Sequence, residues 1–107
     1  MKIAVREYLD ERGKSPFAHW FGDLDAIASA KVATALYRLE QGNFSRVEGV
    51  GSGVYEYKID FGPGYRIYFG KEGEELIILL GGGSKKKQHT DIAAGLACWQ
   101  DYKRRKQ

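Results

Sequence analysis

Two stretches of strictly alternating apolar and polar residues, 54–61 (VYEYKIDF) and 65–70 (YRIYFG), flank the tripeptide Gly62-Pro63-Gly64. A period of two is the spacing of a pleated strand, and a Gly-Pro-Gly break between two such runs is a turn signal, so the segment reads as an antiparallel hairpin. Alternation then sorts the side chains. Tyr55, Tyr57, Ile59 and Phe61 share one face with Tyr65, Ile67 and Phe69; Glu56, Lys58 and Asp60 share the other with Arg66 and Tyr68. The polar turn Lys71-Glu72-Gly73-Glu74 leads to a third strand over 75–81. Its apolar run, Glu75–Leu80 (ELIILL), does not alternate and is therefore read as central or buried on both faces.

The remainder supplies helices. Ser15-Pro16 is a helix start, with Ser able to cap and Pro suited to the first helical position. Phe17, Trp20, Phe21 and Leu24 follow at helical spacing. Asp25 caps a second helix, 26–41, with Ala28, Val32, Leu36 and Leu39 as its apolar stripe and Gly42 as its stop. Residues 2–9 read as an edge strand with Ile3 and Val5 on one side. Residues 43–53 read as a Gly-rich connector, and Thr90 as the cap of a last helix striped by Ile92, Leu96 and Trp99. The predicted order is β-α-α-β-β-β-α. It describes one α+β domain spanning residues 1–107, in which a helical hairpin and a C-terminal helix pack on a mostly antiparallel sheet. No internal repeat or linker interrupts it.

Apolar residues make up 43% of the chain and aromatics 13%, a composition that folds. One cysteine, Cys98, excludes an internal disulfide, and with only two histidines no metal site and no cofactor are expected. Residues 1–14 contain no long apolar stretch, so neither a signal peptide nor a membrane anchor is expected, and the expected location is the cytoplasm. Charge is unevenly placed. Residues 1–53 balance seven Lys/Arg against seven Asp/Glu, whereas residues 54–107 hold ten against seven. The excess sits at Lys85-Lys86-Lys87 and in the tail Lys103-Arg104-Arg105-Lys106. Cations fixed on a sheet, with tyrosines between them, suit a phosphate-rich ligand such as RNA; a solvated surface is the alternative.

The run YEYKIDFGPGYRIYF, the strand ending Leu79-Leu80-Gly81-Gly82, the lysines leading to Gln88, and Asp91-Ile92 together resemble the RelE/ParE superfamily of small bacterial toxins, nearest to its HigB-like, addiction-module killer branch. Ser15-Pro16-Phe17, Trp20, Leu24 and Gly42-Asn43 extend the resemblance over nearly the whole chain. It implies a RelE-like fold and the toxin of a type II toxin–antitoxin module, held by a cognate antitoxin that is often a helix-turn-helix protein. It also implies a metal-independent endoribonuclease (mRNA interferase) that blocks translation by cutting mRNA at the ribosome. The ParE branch instead poisons DNA gyrase, and a catalytically inert antitoxin-binding domain is a further alternative.

The ribonuclease reading assigns roles. The ribose 2′-hydroxyl attacks the adjacent phosphorus, so the protein stabilises negative charge and moves two protons. Arg66, at the Tyr-Arg position of the resemblance, offers a guanidinium fork to phosphate; an ion pair with Glu56 or Asp60 is the alternative. Lys58 occupies the preceding strand's basic position. His89 is the candidate proton carrier, since imidazole exchanges protons in the physiological range, or else a helix-start residue without catalytic duty. Lys85, Lys86 and Lys87 would clamp RNA phosphates, and Tyr68 and Tyr102 would contact RNA, with Asp101-Tyr102 matching an acid–aromatic pair used by some HigB-like toxins. RelE-type toxins often carry a tyrosine one turn into the last helix, where this chain reads Asp91-Ile92-Ala93-Ala94. His19 and Cys98 are read as structural, and Gly81-Gly82-Gly83 as a flexible strand exit.

Overall fold

The structure, a computed structural model, describes residues 2–106. It is a small α+β fold in which one five-stranded mixed sheet carries helices on both faces. The elements are β1 (Ala4–Glu7), α1 (Pro16–Gly22), α2 (Ala26–Glu40), β2 (Val47–Gly51), β3 (Val54–Ile59), β4 (Tyr65–Glu72), β5 (Leu76–Ser84), a 3-10 turn (Lys85–Lys87) and α3 (Gln88–Lys106). The sheet order is β1-β5-β4-β3-β2. All pairs are antiparallel except β1 with β5, which is parallel.

The hairpin and both early caps form as the sequence predicts. Lys58 pairs with Arg66 across β3 and β4. Ser15 Oγ accepts from the Ala18 amide at 3.0 Å and Asp25 Oδ1 from the Ala28 amide at 2.8 Å, each satisfying an otherwise orphaned helix donor. Gly42, at φ 78°, turns the chain away from α2. β5 lies between β1 and β4, and its Ile77, Ile78, Leu79 and Leu80 are all buried, as a non-alternating run requires.

The two sheet faces make two cores. One gathers Phe17, Val32, Leu39, Tyr57, Ile67, Phe69, Ile77 and Leu79 under α1 and α2. The other gathers Tyr8, Val54, Tyr68, Ile78, Leu80 and Trp99 under α3. The second core overturns the expectation of an open polar face: α3 lies across the side of β3 and β4 that carries Glu56, Arg66 and Tyr68.

Three boundaries differ from the sequence reading. The connector 43–53 contains a strand, β2, which pairs with β3 through a register shift between Gly49 and Gly51. Glycine masks its periodicity, and pairing supplies the order that composition lacks. Thr90 does not cap α3, which starts at Gln88 as a continuation of the 3-10 turn. Gly81-Gly82-Gly83 is not a flexible exit but part of β5. A side chain at Gly82 would run into the ring of Trp20 on one face, and a side chain at Gly83 into the carboxylate of Asp91 on the other. Gly70 of β4 is bare for the same reason, with Trp99 of α3 over it.

These close approaches set a test. Gly70→Ala and Gly82→Ala should each lose about 1–3 kcal/mol, the usual cost of forcing extra volume into a packed site. Gly22→Ala should lose nothing, because space at Gly22 is open. Urea unfolding of the three variants checks this, and equal midpoints would show that the indoles yield.

Candidate functional site

The end of the sheet where β3 and β4 meet their turn, and where β5 runs out, collects most of the basic side chains singled out in the sequence. Lys58, Arg66 and Gly83 form one row across β3, β4 and β5. One residue further on, Ser84 opposes Tyr65, and the Lys85 amide donates to the Gly64 carbonyl at 2.6 Å. The Gly-Pro-Gly turn and the lysine run are thus tied together, and Lys85, Lys86 and Lys87 project from this end, all exposed.

Arg66 is buried, 8% exposed, and faces Glu56, 2% exposed. Arg66 Nε stands 3.8 Å from Glu56 Oε1. The ion pair weighed as the alternative role of Arg66 is therefore present. Gln88, the first residue of α3, donates Nε2 to both Glu56 oxygens at 3.0 and 3.2 Å. Arg66 Nε, the Tyr68 hydroxyl and Asp91 Oδ2 are buried without a hydrogen-bond partner among the described residues. Burial pushes the Tyr68 hydroxyl up to about 12, reinforced by the charges of Glu56 and Asp91. Burial also raises the Asp91 carboxyl, against the pull of Lys87. Unpaired polar atoms in a low-dielectric layer are costly, so this layer is held together by packing rather than by its own polar interactions.

The other candidates fall elsewhere. Lys58 is partly exposed and pairs with Glu48 of β2, whose carboxyl that lysine holds below its usual range. His89 is exposed on the first turn of α3, with no bond to Arg66 or Lys58 among the described residues. Tyr68 is a correction: its ring is completely buried under α3, beside Gly95, and offers no face to a base. Tyr102 is half-buried, stacks on Trp99 with centroids 5.4 Å apart and donates to Glu72 at 2.7 Å. The basic tail is engaged within the molecule as well: Arg104 and Arg105 pair with Asp101, Lys106 with Glu72, and Lys103 lies over Trp99. His19 is exposed, not packed among aromatics. Cys98 is half-buried in the second core, and burial raises its thiol.

Sequence reasoning missed Gln88 and Asp91 as site residues and named Glu56 only as a neighbour of Arg66. The signal for Glu56 was its position on the Lys58–Arg66 face. Reading that face as solvent hid the carboxylate, because alternation identifies two faces but not what covers the second.

The geometry defines a small α+β domain with one basic sheet end and a buried carboxylate–guanidinium pair beneath a helix start. No family model matches the chain. It is 40% identical over 77 residues to an uncharacterized protein of Haemophilus influenzae (strain ATCC 51907 / DSM 11121 / KW20 / Rd), an overlap covering 71% of this chain and 78% of that protein. The chain belongs to the same family as that protein. No helix among the described residues is long and apolar enough to cross a membrane.

The C-terminal half of α3 is pinned by two tyrosine–carboxylate bonds, Tyr8 to Asp101 at 2.6 Å and Tyr102 to Glu72. Burial first, then the facing carboxylate, pushes each tyrosine to about 12 from the ordinary 10.0. The Tyr8 bond holds Asp101 below its usual range, and Lys106 followed by Tyr102 does the same for Glu72. The phenols' contribution is complete below pH 10.0 and is lost as pH rises toward 12; the carboxylates' is complete above their ordinary values and is lost as pH falls. Near-UV circular dichroism of the Trp99–Tyr102 stack should therefore show a plateau from roughly pH 5 to 10. Tyr8→Phe/Tyr102→Phe should make the alkaline limb shallower; an unchanged limb would place the titration elsewhere.

Proposed function

We propose that this chain is the toxin of a type II toxin–antitoxin module, from the HigB-like branch of the RelE/ParE superfamily, and that it cuts mRNA at the ribosome in the cytoplasm without a metal. The observation that carries the reading is the pairing of Arg66 with the buried Glu56 and its registered neighbour Lys58, at the sheet end from which Lys85–Lys87 project. A rigid hairpin that presents a carboxylate and two cations suits phosphoryl transfer; poisoning a topoisomerase requires no such set.

In this reading the 2′-hydroxyl of the scissile nucleotide attacks phosphorus and gives its proton to Glu56. Arg66 and Lys58 stabilise the charge that accumulates on the phosphoryl oxygens. The bond from phosphorus to the 5′-oxygen breaks, and His89 supplies the proton that the leaving oxygen takes. The products are a 2′,3′-cyclic phosphate and a 5′-hydroxyl. Because the substrate carries its own nucleophile, no metal-bound hydroxide is needed. Gln88 covers Glu56, so substrate must displace the first turn of α3 to reach the pair. Lys85, Lys86 and Lys87 hold the flanking phosphates. The partner is a cognate antitoxin, expected to be a helix-turn-helix protein, whose acidic residues would complement the same lysines.

Expression of the chain alone should arrest growth and leave new 5′ ends within translated transcripts. Arg66→Lys keeps the charge opposite Glu56 but loses the guanidinium fork, and should lower cleavage by roughly a hundredfold while the protein stays folded. A folded Arg66→Lys or Glu56→Gln protein with full toxicity would refute this site. Intact transcripts with altered plasmid supercoiling would transfer the reading to gyrase.

Substituting Lys85, Lys86 and Lys87 together by Gln should weaken RNA binding. The log–log salt slope should fall by about 0.7–0.9 for each phosphate that no longer has a lysine beside it. Binding measured between low and physiological salt decides it, and an unchanged slope removes these residues from the interface.

A further inference from the structure

Residues 1–53 balance seven Lys/Arg against seven Asp/Glu, but the balance is not local. Three of those seven cations, Lys31, Arg38 and Arg46, line one groove of about 390 Å³ between α2 and the turn end of β3. Lys31, Thr34 and Arg38 face it from α2 at i, i+3 and i+7, which is one side of a helix. The carboxylate in the groove is Asp60, and Arg46 pairs with it at 3.1 Å. Lys58 stands where the groove meets the sheet end, and it is paired with Glu48. Among the described residues Lys31 and Arg38 pair with no carboxylate, so the groove keeps an excess of two positive charges. The cations are also held in place. Lys31 Nζ sits 5.2 Å from the centre of the Phe61 ring, and Arg46 Nε donates to the Lys58 carbonyl at 3.1 Å.

The arrangement suits a chain of negative charges better than a single anion. Lys31 and Arg38 are about 10 Å apart along the helix at 1.5 Å per residue, so the cations are strung along the groove and do not converge on one point. The polyanion is then a nucleic acid strand or an acidic peptide. Peptide docking takes most of its affinity from apolar anchors seated in pockets. The apolar residues of this groove, Ala35, Tyr57 and Ile59, are buried in the core beneath it and leave no opening for an anchor. Position favours a strand as well. Lys58 borders the groove and is registered with Arg66, so RNA leaving Arg66 around the end of β3 enters the groove. β4 lies between β5 and β3, which puts the lysine run and the groove on opposite sides of Arg66.

We propose that the groove between α2 and the end of β3 is a second RNA-binding surface. It holds the backbone of the strand on one flank of the scissile phosphate through Lys31, Arg38 and Arg46, while Lys85–Lys87 hold the other flank. The proposal rests on the ribonuclease reading in naming the strand as the substrate's own.

Two 2′-O-methyl oligouridylates, one of roughly twelve nucleotides and one of roughly three, separate the flank from the site and cannot be cut through a 2′-hydroxyl. Fluorescence anisotropy across a salt series reads their binding. Lys31→Gln/Arg38→Gln should lower the log–log salt slope for the long oligomer by about 0.7 for each cation removed, roughly 1.4 in all, and leave the slope for the short one unchanged. Both side chains are exposed, so the melting temperature should stay close to that of the unsubstituted protein. Lys31→Glu/Arg38→Glu should weaken the long oligomer further. An unchanged long-oligomer slope in both variants, equal losses for the two lengths, or no binding of the long oligomer by the unsubstituted protein overturns the proposal. Unchanged RNA binding with lost binding of a polyglutamate peptide overturns it as well and assigns the groove to an acidic protein partner. Transcript cleavage with an unchanged slope removes the groove and leaves the ribonuclease reading; a lowered slope without transcript cleavage does the reverse.

Discussion

The fold depends on the two glycines at the end of β5. Gly82 must be bare because the indole of Trp20 lies against it from the α1 side, and Gly83 must be bare because the Asp91 carboxylate lies against it from the α3 side. Any side chain at either position would push a helix away from the sheet. The approach at Gly83 brings the start of α3 down onto the sheet, and so brings Gln88 to Glu56 and Glu56 to its enclosed position beside Arg66. The aromatic anchor of α1 and the closed face of the hairpin both follow from one stretch of strand without side chains.

The polar layer that results is unusual in what it leaves unpaired. Arg66 faces Glu56 at a distance too long for a hydrogen bond, and Tyr68 and Asp91 bury polar atoms that have no partner among the described residues. Burying such groups costs free energy, which the apolar packing of Trp99, Leu80 and Ile78 in the same core offsets. The C-terminal half of α3 is satisfied by comparison, with Tyr8, Tyr102, Arg104, Arg105 and Lys106 all committed to Asp101 or Glu72. The helix is thus firmly fastened at its end and weakly satisfied at its start, next to the Arg66–Glu56 pair. A substrate that supplied polar groups to that layer would have its ordering cost reduced by the atoms already waiting for partners.

Much of this was legible in the chain. The hairpin, the register of Lys58 with Arg66, the central position of β5 and the caps at Ser15 and Asp25 follow from period, turn residues and local hydrogen bonding, and the structure has each of them. The strand β2 was not legible, because Gly49 and Gly51 erase the alternation and only pairing with β3 orders the segment. Of the site, the exposed lysines were placed correctly as a projecting run, and the choice between roles for Arg66 included the ion pair that is present. Tyr68 was misread because its exposure depends on α3, whose packing no local pattern specifies.

The sequence by itself determined which residues share a face, since a strand's geometry is local and its side chains alternate whatever surrounds them. It determined the helix starts in the first half for the same reason: a capping bond spans three residues. What covers each face was decided only by tertiary structure. The alternate face of the hairpin carries Glu56, Lys58, Arg66 and Tyr68, and its polar letters describe a surface equally well as a lined interior. Two bare positions, Gly70 and Gly83, let Trp99 and Asp91 of α3 approach the sheet, and that approach between residues distant in the chain turned the face inward.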